Sequence, residues 1–560
     1  MVEPARGEVY TDRGVTKSPA PRLPSSRSEV ASGDLTPFEV SEGSFLVEFP
    51  GQSESDANRM AVSLAQRLSK RRVRGVLDAI PGARTLYVLF DPRAADSAAV
   101  VRLLRRLTSE REAPASASRL LRIPVAYGGE GGPDLFSVAR ELGLDPADLC
   151  RRHAGGEYRV AFLGFSPGFP YLAGLPPALA VPRLERPRPR VLSGSVAIAG
   201  EYSAIYPAET PGGWRLIGRT AVSLFDPAAD PPALLSPGDR VAFEPIAETD
   251  LLRRLAARRA GESRGAPAEG EPLFEMVTSG AFTSIQGAPR FGLGSRGVPA
   301  GGAMDTDALA EGNAAVANDA GAAALEVTLS GPEILVLSDA ILAIAGADLD
   351  ARWNDEAAPL GKAFAAREGD RIRFGAARAG ARAYLCAAGG LAAGRPAETT
   401  RRLSRGDRAA RAPRGTSSGI EAPAPASRLP GESGVTLRVL SGPQADVLAT
   451  ASANRLFSES YRVSPESDRR GIRLEGPVLE LRRAPDVAPE GTALGSIQVP
   501  ANGLPIVLGP DRPVTGGYAK VATVIARDWP LLAQLPPGAS VRFRPVALAE
   551  AMEELRGRET

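Results

Sequence analysis

Two stretches of this 560-residue chain read as diverged copies of one unit. The first carries Gly194-Ser195-Val196-Ala197-Ile198, Ile205-Tyr206-Pro207, Pro211-Gly212-Gly213-Trp214 and Pro237-Gly238-Asp239-Arg240-Val241. The second answers with Gly495-Ser496-Ile497-Gln498-Val499, Pro505-Ile506-Val507-Leu508, Thr515-Gly516-Gly517-Tyr518 and Pro537-Gly538-Ala539-Ser540-Val541. In each, a Gly-Ser pair opens an apolar strand and a second apolar strand follows. Twin glycines with an aromatic come next, and a Pro-Gly turn leads into V-x-F-x-P. A repeat of this size predicts two related β-rich domains, and with them a composite site between the copies.

Composition narrows the class. A chain of this length has room for about three to five domains with sizeable cores. Apolar content of 43% and charged content of 24% are ordinary for a globular protein. A net charge of +2 gives no drive toward nucleic acid or an acidic membrane. One histidine, His153, excludes a multi-histidine metal site. Cys150 and Cys386 lie too far apart in sequence to suggest a disulfide framework, so no metal site is expected. Neither a signal-peptide core nor an apolar run of about 18 residues is present, and the cytoplasm is the expected location. Positive charge is nearly all arginine, the lysines being Lys17, Lys70, Lys362 and Lys520.

Pattern and punctuation predict a mainly β chain with an α/β N-terminal module. Residues 1–36 read as a disordered tail, and 37–125 as a ferredoxin-like module in the order β-α-β-β-α-β. A β-rich domain spans 126–250, a helix end and linker 251–272, and a further β-rich region 273–400. Residues 401–435, with Arg401, Arg402, Arg405, Arg408, Arg411 and Arg414 ahead of a Pro/Ala/Ser run, read as a solvated linker. The last β-rich domain covers 436–560.

The run Tyr158-Arg159-Val160-Ala161-Phe162-Leu163-Gly164-Phe165-Ser166-Pro167-Gly168-Phe169-Pro170-Tyr171-Leu172, with Pro182-Arg183 and Pro211 to Thr220, closely resembles the B-type component of 5-oxoprolinase, also called allophanate-hydrolase subunit 1 or KipI. From about residue 274 the chain resembles the C-type component, the KipA-like or biotin-dependent carboxyltransferase family. That match rests on Thr283-Ser284-Ile285-Gln286, Gly302-Ala303-Met304-Asp305, Leu325-Glu326 and the run Ile497 to Lys520. The resemblance implies cyclophilin-like β-barrels for the repeated domains. It further implies ATP-dependent opening of the 5-oxoproline lactam to L-glutamate, with ATP and Mg2+ and an A-type partner protein. A urea-carboxylase-like carboxyltransferase module and a non-enzymatic histidine-kinase regulator are the alternatives, and a homo-oligomer stays open. The chain departs from the C-type pattern at four places: Q-D-x-G-R is here Gln286-Gly287-Ala288-Pro289-Arg290, the serine before Gly302 is Gly301, the G-S-R-S-T region after Gly389-Gly390 is Arg-rich, and the proline after Tyr518 is Ala519.

Opening an unstrained lactam requires activating its oxygen, donors around a phosphoryl group and a base for water. No Walker loop is present, so the twin glycines Gly212, Gly213, Gly516 and Gly517 are candidates to present backbone N–H groups to an anion. His153 is read as a proton shuttle or phosphate contact, or as a helix-end residue holding a turn. Phe165, Phe169, Tyr171, Trp214 and Tyr518 can wall a small-molecule pocket, and Arg183, Arg188, Arg215 and Arg219 can bind carboxylate or phosphate. Gln498, Asp511 and Lys520 complete the catalytic set, Asp511 as proton acceptor or Mg2+ ligand and Lys520 as a point charge; an Asp511–Lys520 salt bridge is the structural alternative. Asp305 and Glu326 are weaker candidates, given the aspartate missing at Gly287.

Overall fold

The computed structural model describes residues 37–49, 51–110, 118–261, 270–395, 397–398, 400–413, 429–431 and 434–556. The tail expected over 1–36 and the linker stretches 262–269 and 414–428, including Arg414, lie outside them.

The N-terminal module is α/β. Strands Pro37–Ser41, Ser44–Glu48, Val76–Pro81 and Thr85–Phe90 form one antiparallel sheet with the fourth strand between the second and third. Helix Glu54–Arg71 starts where the Ser53 hydroxyl accepts from Asp56 N–H, with acids in its first turn and Lys70 and Arg71 in its last. Its Ala57, Ala61, Leu64 and Leu68 recur at helical spacing and are buried with Phe45, Leu86 and Val88, joined by Val100, Leu104 and Leu107 of helix Ser97–Ser109. The resulting order, β-β-α-β-β-α, differs from the β-α-β-β-α-β expectation at its ends. Leu120–Tyr127 leaves the module and pairs in parallel with Arg240–Pro245, from Leu120 opposite Arg240 to Val125 opposite Pro245. Pro37–Ser41 supplies the module's fourth strand instead.

That reassignment completes a barrel. Leu120–Tyr127, Arg240–Pro245, Tyr158–Leu163, Pro170–Ala173, Tyr202–Ile205, Ser195–Ala199 and Arg215–Arg219 close on one another in that order. The C-terminal domain repeats the ring strand for strand: Val435–Ser441, Ser540–Pro545, Tyr461–Val463, Gly471–Glu475, Ile506–Leu508, Ser496–Val499 and Thr515–Val524, closing back on Val435–Ser441. The first pair in each ring is parallel. Thus the Gly-Ser repeat marks only the most similar part of two whole matching barrels. Asp486–Gly491 lies along the start of Thr515–Val524, as Arg188–Val191 lies along Thr210–Gly212 beside the first barrel.

Between the barrels in sequence, a six-stranded and a five-stranded sheet enclose a core including Phe274, Leu325, Ile344 and Leu385. The described part of the arginine-rich segment, 400–413, is part of this sandwich rather than a linker. Arg408–Ala410 pairs with Pro272–Met276, Arg408 meets Glu275 at 2.8 Å and Arg401 meets Asp407 at 2.7 Å, so its charge is spent on edge-strand contacts.

Buried polar contacts fix the domains against one another. Arg469 of the second barrel reaches Glu326 of the sandwich at 2.6 Å, the Gly302 carbonyl at 2.6 Å and Asp511 at 2.9 Å. Glu326, fully buried, also accepts from Met304 N–H and the Tyr384 hydroxyl. Gln534 donates to Asp305, whose other oxygen caps helix Thr306–Ala315, and accepts from Ala381 and Arg382 N–H. The N-terminal module touches all three other domains. Asn58 donates to Ala161 O at 3.1 Å, Asp78 accepts from Gly294 N–H at 2.7 Å, and Ala83 N–H donates to Pro489 O at 2.7 Å.

Removing one member of a buried ion pair strands the other. Arg469→Ala is therefore expected to cost on the order of 3–5 kcal/mol at the sandwich–barrel contact. Urea unfolding should show an earlier midpoint for the transition that contains the C-terminal half; an unchanged midpoint would remove Arg469 from this role.

Candidate functional site between the barrels

Where the first barrel, the N-terminal module and the second barrel meet, they leave a cleft of about 290 Å3. Its floor comes from the first barrel. Tyr171 stacks on Phe162 with ring centroids 4.3 Å apart and meets Trp214 edge-on at 5.6 Å, and Phe169 backs both. Tyr202, on the hairpin that follows the Gly-Ser strand, donates its hydroxyl to Glu54 at the start of the module's first helix. Glu201 and exposed Arg183 stand at the rim. Ala488 and Pro489, from strand Asp486–Gly491 of the second barrel, form the opposite wall. Nothing in the pattern of the repeat points to Glu54, Glu201, Tyr202, Ala488 or Pro489. Glu201 and Tyr202 are within reach as the hairpin following Gly194–Ala199; Glu54, Ala488 and Pro489 depend on domain docking that no local pattern encodes.

The two barrels touch beside this cleft with no space to spare. A Cβ placed on Gly164 would lie 1.6 Å from the Thr515 hydroxyl oxygen. Next to it, Ser166 N–H donates to Gly164 O at 2.7 Å across Phe165, which holds φ at +64°. That is a γ-turn with a left-handed aromatic at its centre, a strained conformation kept where the surrounding contacts enforce it.

In each twin pair the first glycine answers to close approach. A Cβ on Gly212 would meet the Tyr206 hydroxyl at 2.3 Å, and one on Gly516 would meet Gln498 Nε2 at 2.8 Å. Gly213 lies beside cleft-lining Trp214, and Gly517 packs near the Val487 carbonyl, next to cleft-lining Ala488. The first copy of the repeat lines the cleft through Trp214, whereas the second barrel lines it through Asp486–Gly491, the strand paired with Thr515–Val524.

Of the other candidates, Phe169, Tyr171, Arg183 and Trp214 are gathered at the cleft or directly behind it. Phe165 is partly exposed beside them, meeting Phe169 edge-on at 5.1 Å, and Tyr518 is exposed on the strand paired with Asp486–Gly491. Arg219 is elsewhere, its Nε donating to Ser193 O; Arg188 pairs with Asp134 and Arg215 with Glu141.

His153 is in the interior of the first barrel. Nδ1 shares a hydrogen bond with the Tyr127 hydroxyl at 2.8 Å and Nε2 with Ser203 Oγ at 2.9 Å, so neither nitrogen is left for a substrate. Burial pushes its pKa down to about 3, which keeps the ring neutral at physiological pH, and Tyr158 and Phe243 pack on it. These contacts correct the proton-shuttle and phosphate-contact readings and make His153 a core residue at the end of helix Pro146–Ala154.

Lys520 and Asp511 do not pair with each other. Asp511 is held by Nε and NH2 of Arg469, which leaves it poorly placed to serve as a base or to coordinate Mg2+. Among the described residues, no group of three or more metal-ligating side chains converges. Lys520 is fully buried, with Nζ 2.9 Å from Glu490 Oε1; the distance is that of an ion pair, although no described acceptor aligns with an N–H for a directed hydrogen bond. Gln444 bridges the pair, donating to Glu490 and accepting from Lys520 N–H. Glu490 directly follows Pro489 of the cleft wall, so Lys520 steadies that wall from behind and has no access to the cleft. Gln498, buried, lies opposite Lys520 in the strand register. At the altered Q-D-x-G-R motif, a Cβ on Gly287 would already sit 3.0 Å from Gly321 O, and Arg290 holds the carbonyls of Arg395 and Glu398.

Comparison with known proteins agrees with this architecture. Residues 37–235 match the family described as "Carboxyltransferase domain, subdomain C and D", and residues 296–545 match "Carboxyltransferase domain, subdomain A and B". The N-terminal half is 48% identical over 185 residues to the B-type subunit of Escherichia coli 5-oxoprolinase, covering 33% of this chain and 84% of that protein. The C-terminal half is 32% identical over 296 residues to the C-type subunit of Escherichia coli 5-oxoprolinase, covering 50% of this chain and 94% of that protein. The chain belongs to the family of B-type and C-type 5-oxoprolinase subunits, with both units on one polypeptide. The crystal structure of TTHA0988 superposes with a TM-score of 0.75 at 35% identity, covering 90% of this chain and 99% of that one. No described helix is long and apolar enough to cross a membrane.

The buried histidine yields a pH signature. The folded barrel holds His153 neutral down to about pH 3, whereas the unfolded chain protonates it near its ordinary 6.5. Its stabilising contribution is therefore complete above about pH 6.5 and is lost as pH falls toward about 3, because the unfolded state binds the extra proton in that window. His153→Gln should flatten the acid-side slope of unfolding free energy by up to about 1.4 kcal/mol per pH unit. Urea titrations at pH 4, 5 and 6 measure this, and equal slopes in the two proteins would show that His153 is not buried neutral.

Proposed function

We propose that this chain is the fused B-type and C-type component of an ATP-dependent 5-oxoprolinase. It works with an A-type partner protein to open the 5-oxoproline lactam to L-glutamate, with hydrolysis of ATP. The supporting observation is the composite cleft. Tyr171 and Trp214 of the B-type half face Ala488 and Pro489 of the C-type half, so neither half completes the cleft alone. A shared site gives a physical reason for the two units to act together, and for their fusion to keep them in register.

The chemistry sets a division of labour. A lactam oxygen becomes a leaving group once phosphorylated, which calls for hydrogen-bond donors at that oxygen and exclusion of bulk water. The cleft offers donors and an aromatic floor, while residues expected to act as the base are committed elsewhere: His153 to Tyr127 and Ser203, and Asp511 to Arg469. Proton transfer and nucleotide handling, with the Mg2+ that ATP brings, are therefore assigned largely to the A-type partner.

The direct test is release of glutamate and phosphate from 5-oxoproline and ATP. The chain with an A-type partner should turn over, and either protein alone should be at least tenfold slower. No activity with a partner competent toward separate B-type and C-type proteins would refute the proposal.

A further inference from the structure

Four polar side chains without a full set of partners gather around the end of strand Asp486–Gly491. Tyr87 and Thr85 of the N-terminal module and Thr515 of the second barrel are 1%, 3% and 2% exposed, and none of the three hydroxyls makes an aligned hydrogen bond with a described residue. Close approaches at glycines locate them. A Cβ on Gly491 would lie 2.6 Å from Tyr87 Cγ, and one on Gly82 would lie 2.9 Å from both Glu490 Cα and Thr85 Oγ1. Thr515 is the register partner of Gly491. Buried hydroxyls are ordinarily satisfied, so three at one junction signal a missing partner.

The fourth side chain carries charge. Arg512 is 8% exposed; its Nε donates at 3.1 Å to the carbonyl of Thr492, the residue directly after the strand, and NH1 donates at 3.4 Å to the Gly509 carbonyl. Its NH2 donates to no described residue, and no described carboxylate lies within ion-pair distance of it. Arg469, similarly buried, holds two carboxylates. Burial pushes the Arg512 pKa down, as for a cation taken out of water without a counterion. Tyr87 is its strongest electrostatic neighbour, ahead of Asp511 and Asp78. Both carboxylates are engaged elsewhere, Asp511 by Arg469 and Asp78 by the N–H groups of Ala79, Gly292 and Gly294, while Glu490 is paired with Lys520.

We propose that the Arg512 guanidinium and the Tyr87 hydroxyl bind a small inorganic monoanion, of the size of chloride, at the junction of the N-terminal module and the second barrel. Every unsatisfied group there can donate a hydrogen, which suits a ligand that only accepts. One guanidinium balances one negative charge, and burial this deep suits an ion rather than an organic molecule. The ion pins the module to residues 490–492, directly after Pro489 of the cleft wall, and so steadies that wall together with the Lys520–Glu490 pair. The assignment does not depend on the oxoprolinase reading.

Thermal unfolding of the full chain at constant ionic strength, with gluconate exchanged stepwise for chloride, tests it. The wild-type midpoint is expected to rise saturably, by about 2 °C or more. Tyr87→Phe keeps the ring and removes only the hydroxyl, and should raise the half-saturating chloride concentration about fivefold. Arg512→Gln should abolish the dependence. Bromide gives a direct readout: wild-type crystals soaked in it should show an anomalous peak beside Arg512 and the Tyr87 hydroxyl. If Arg512→Gln fails to fold, Tyr87→Phe and the bromide peak still decide. A wild-type midpoint indifferent to chloride overturns the assignment. So does a chloride effect with the same half-saturation in the folded variants as in the wild type, or the absence of bromide beside Arg512.

Discussion

The arrangement of this protein depends on one close approach, that of Gly164 to Thr515. The loop after strand Tyr158–Leu163 of the first barrel seats directly on the strand that begins at Thr515 in the second, and no side chain larger than hydrogen fits at Gly164. Phe165 takes up the turn that follows in a left-handed conformation, at an intrinsic cost of about 1–3 kcal/mol. A strained turn that also presents an aromatic next to a cleft is tolerated because three domains converge there: Gly168 N–H donates to Arg296 O of the sandwich, and the N-terminal module closes the side through Ala83 and Pro489. Loosening this contact would leave each barrel intact and abolish the space between them.

Buried charge gives the contact its register. Lys520 and Glu490 pair behind the cleft wall, and Arg469 joins Glu326 to Asp511 between sandwich and barrel. Buried ion pairs contribute little net stability, since desolvation offsets most of the attraction. They are nevertheless intolerant of misplacement, because a shifted domain would leave a charge stranded in a dry interior. Lys520, Glu490, Arg469, Glu326 and Asp511 therefore serve positioning.

Much of the fold is legible in the sequence, for a physical reason. Strand and turn signals are local: the apolar runs of Ser195–Ala199 and Ser496–Val499, and the Pro-Gly turns before Arg240–Pro245 and Ser540–Pro545, mark the repeat directly. Leu120–Tyr127 escapes such a reading because its partner in the parallel pair, Arg240–Pro245, lies far along the chain, and a parallel register leaves no hairpin signature nearby. The arginines near 400 resemble a linker since the strand that Arg408–Ala410 joins, with Glu275 opposite Arg408, lies far away in the sequence. Site residues divide the same way. Tyr171 and Trp214 sit in motifs with local character, whereas Glu54 and Pro489 reach the cleft only through docking. His153 and Lys520 stand out as rare residue types, and rarity carries no information about burial.

Hydrogen–deuterium exchange with and without 5-oxoproline tests most directly whether the two halves build one site. If they do, amides of 199–202 in the first barrel and of 486–491 in the second gain protection together at the same ligand concentration. Protection confined to one half, or absent from both, would contradict a shared cleft.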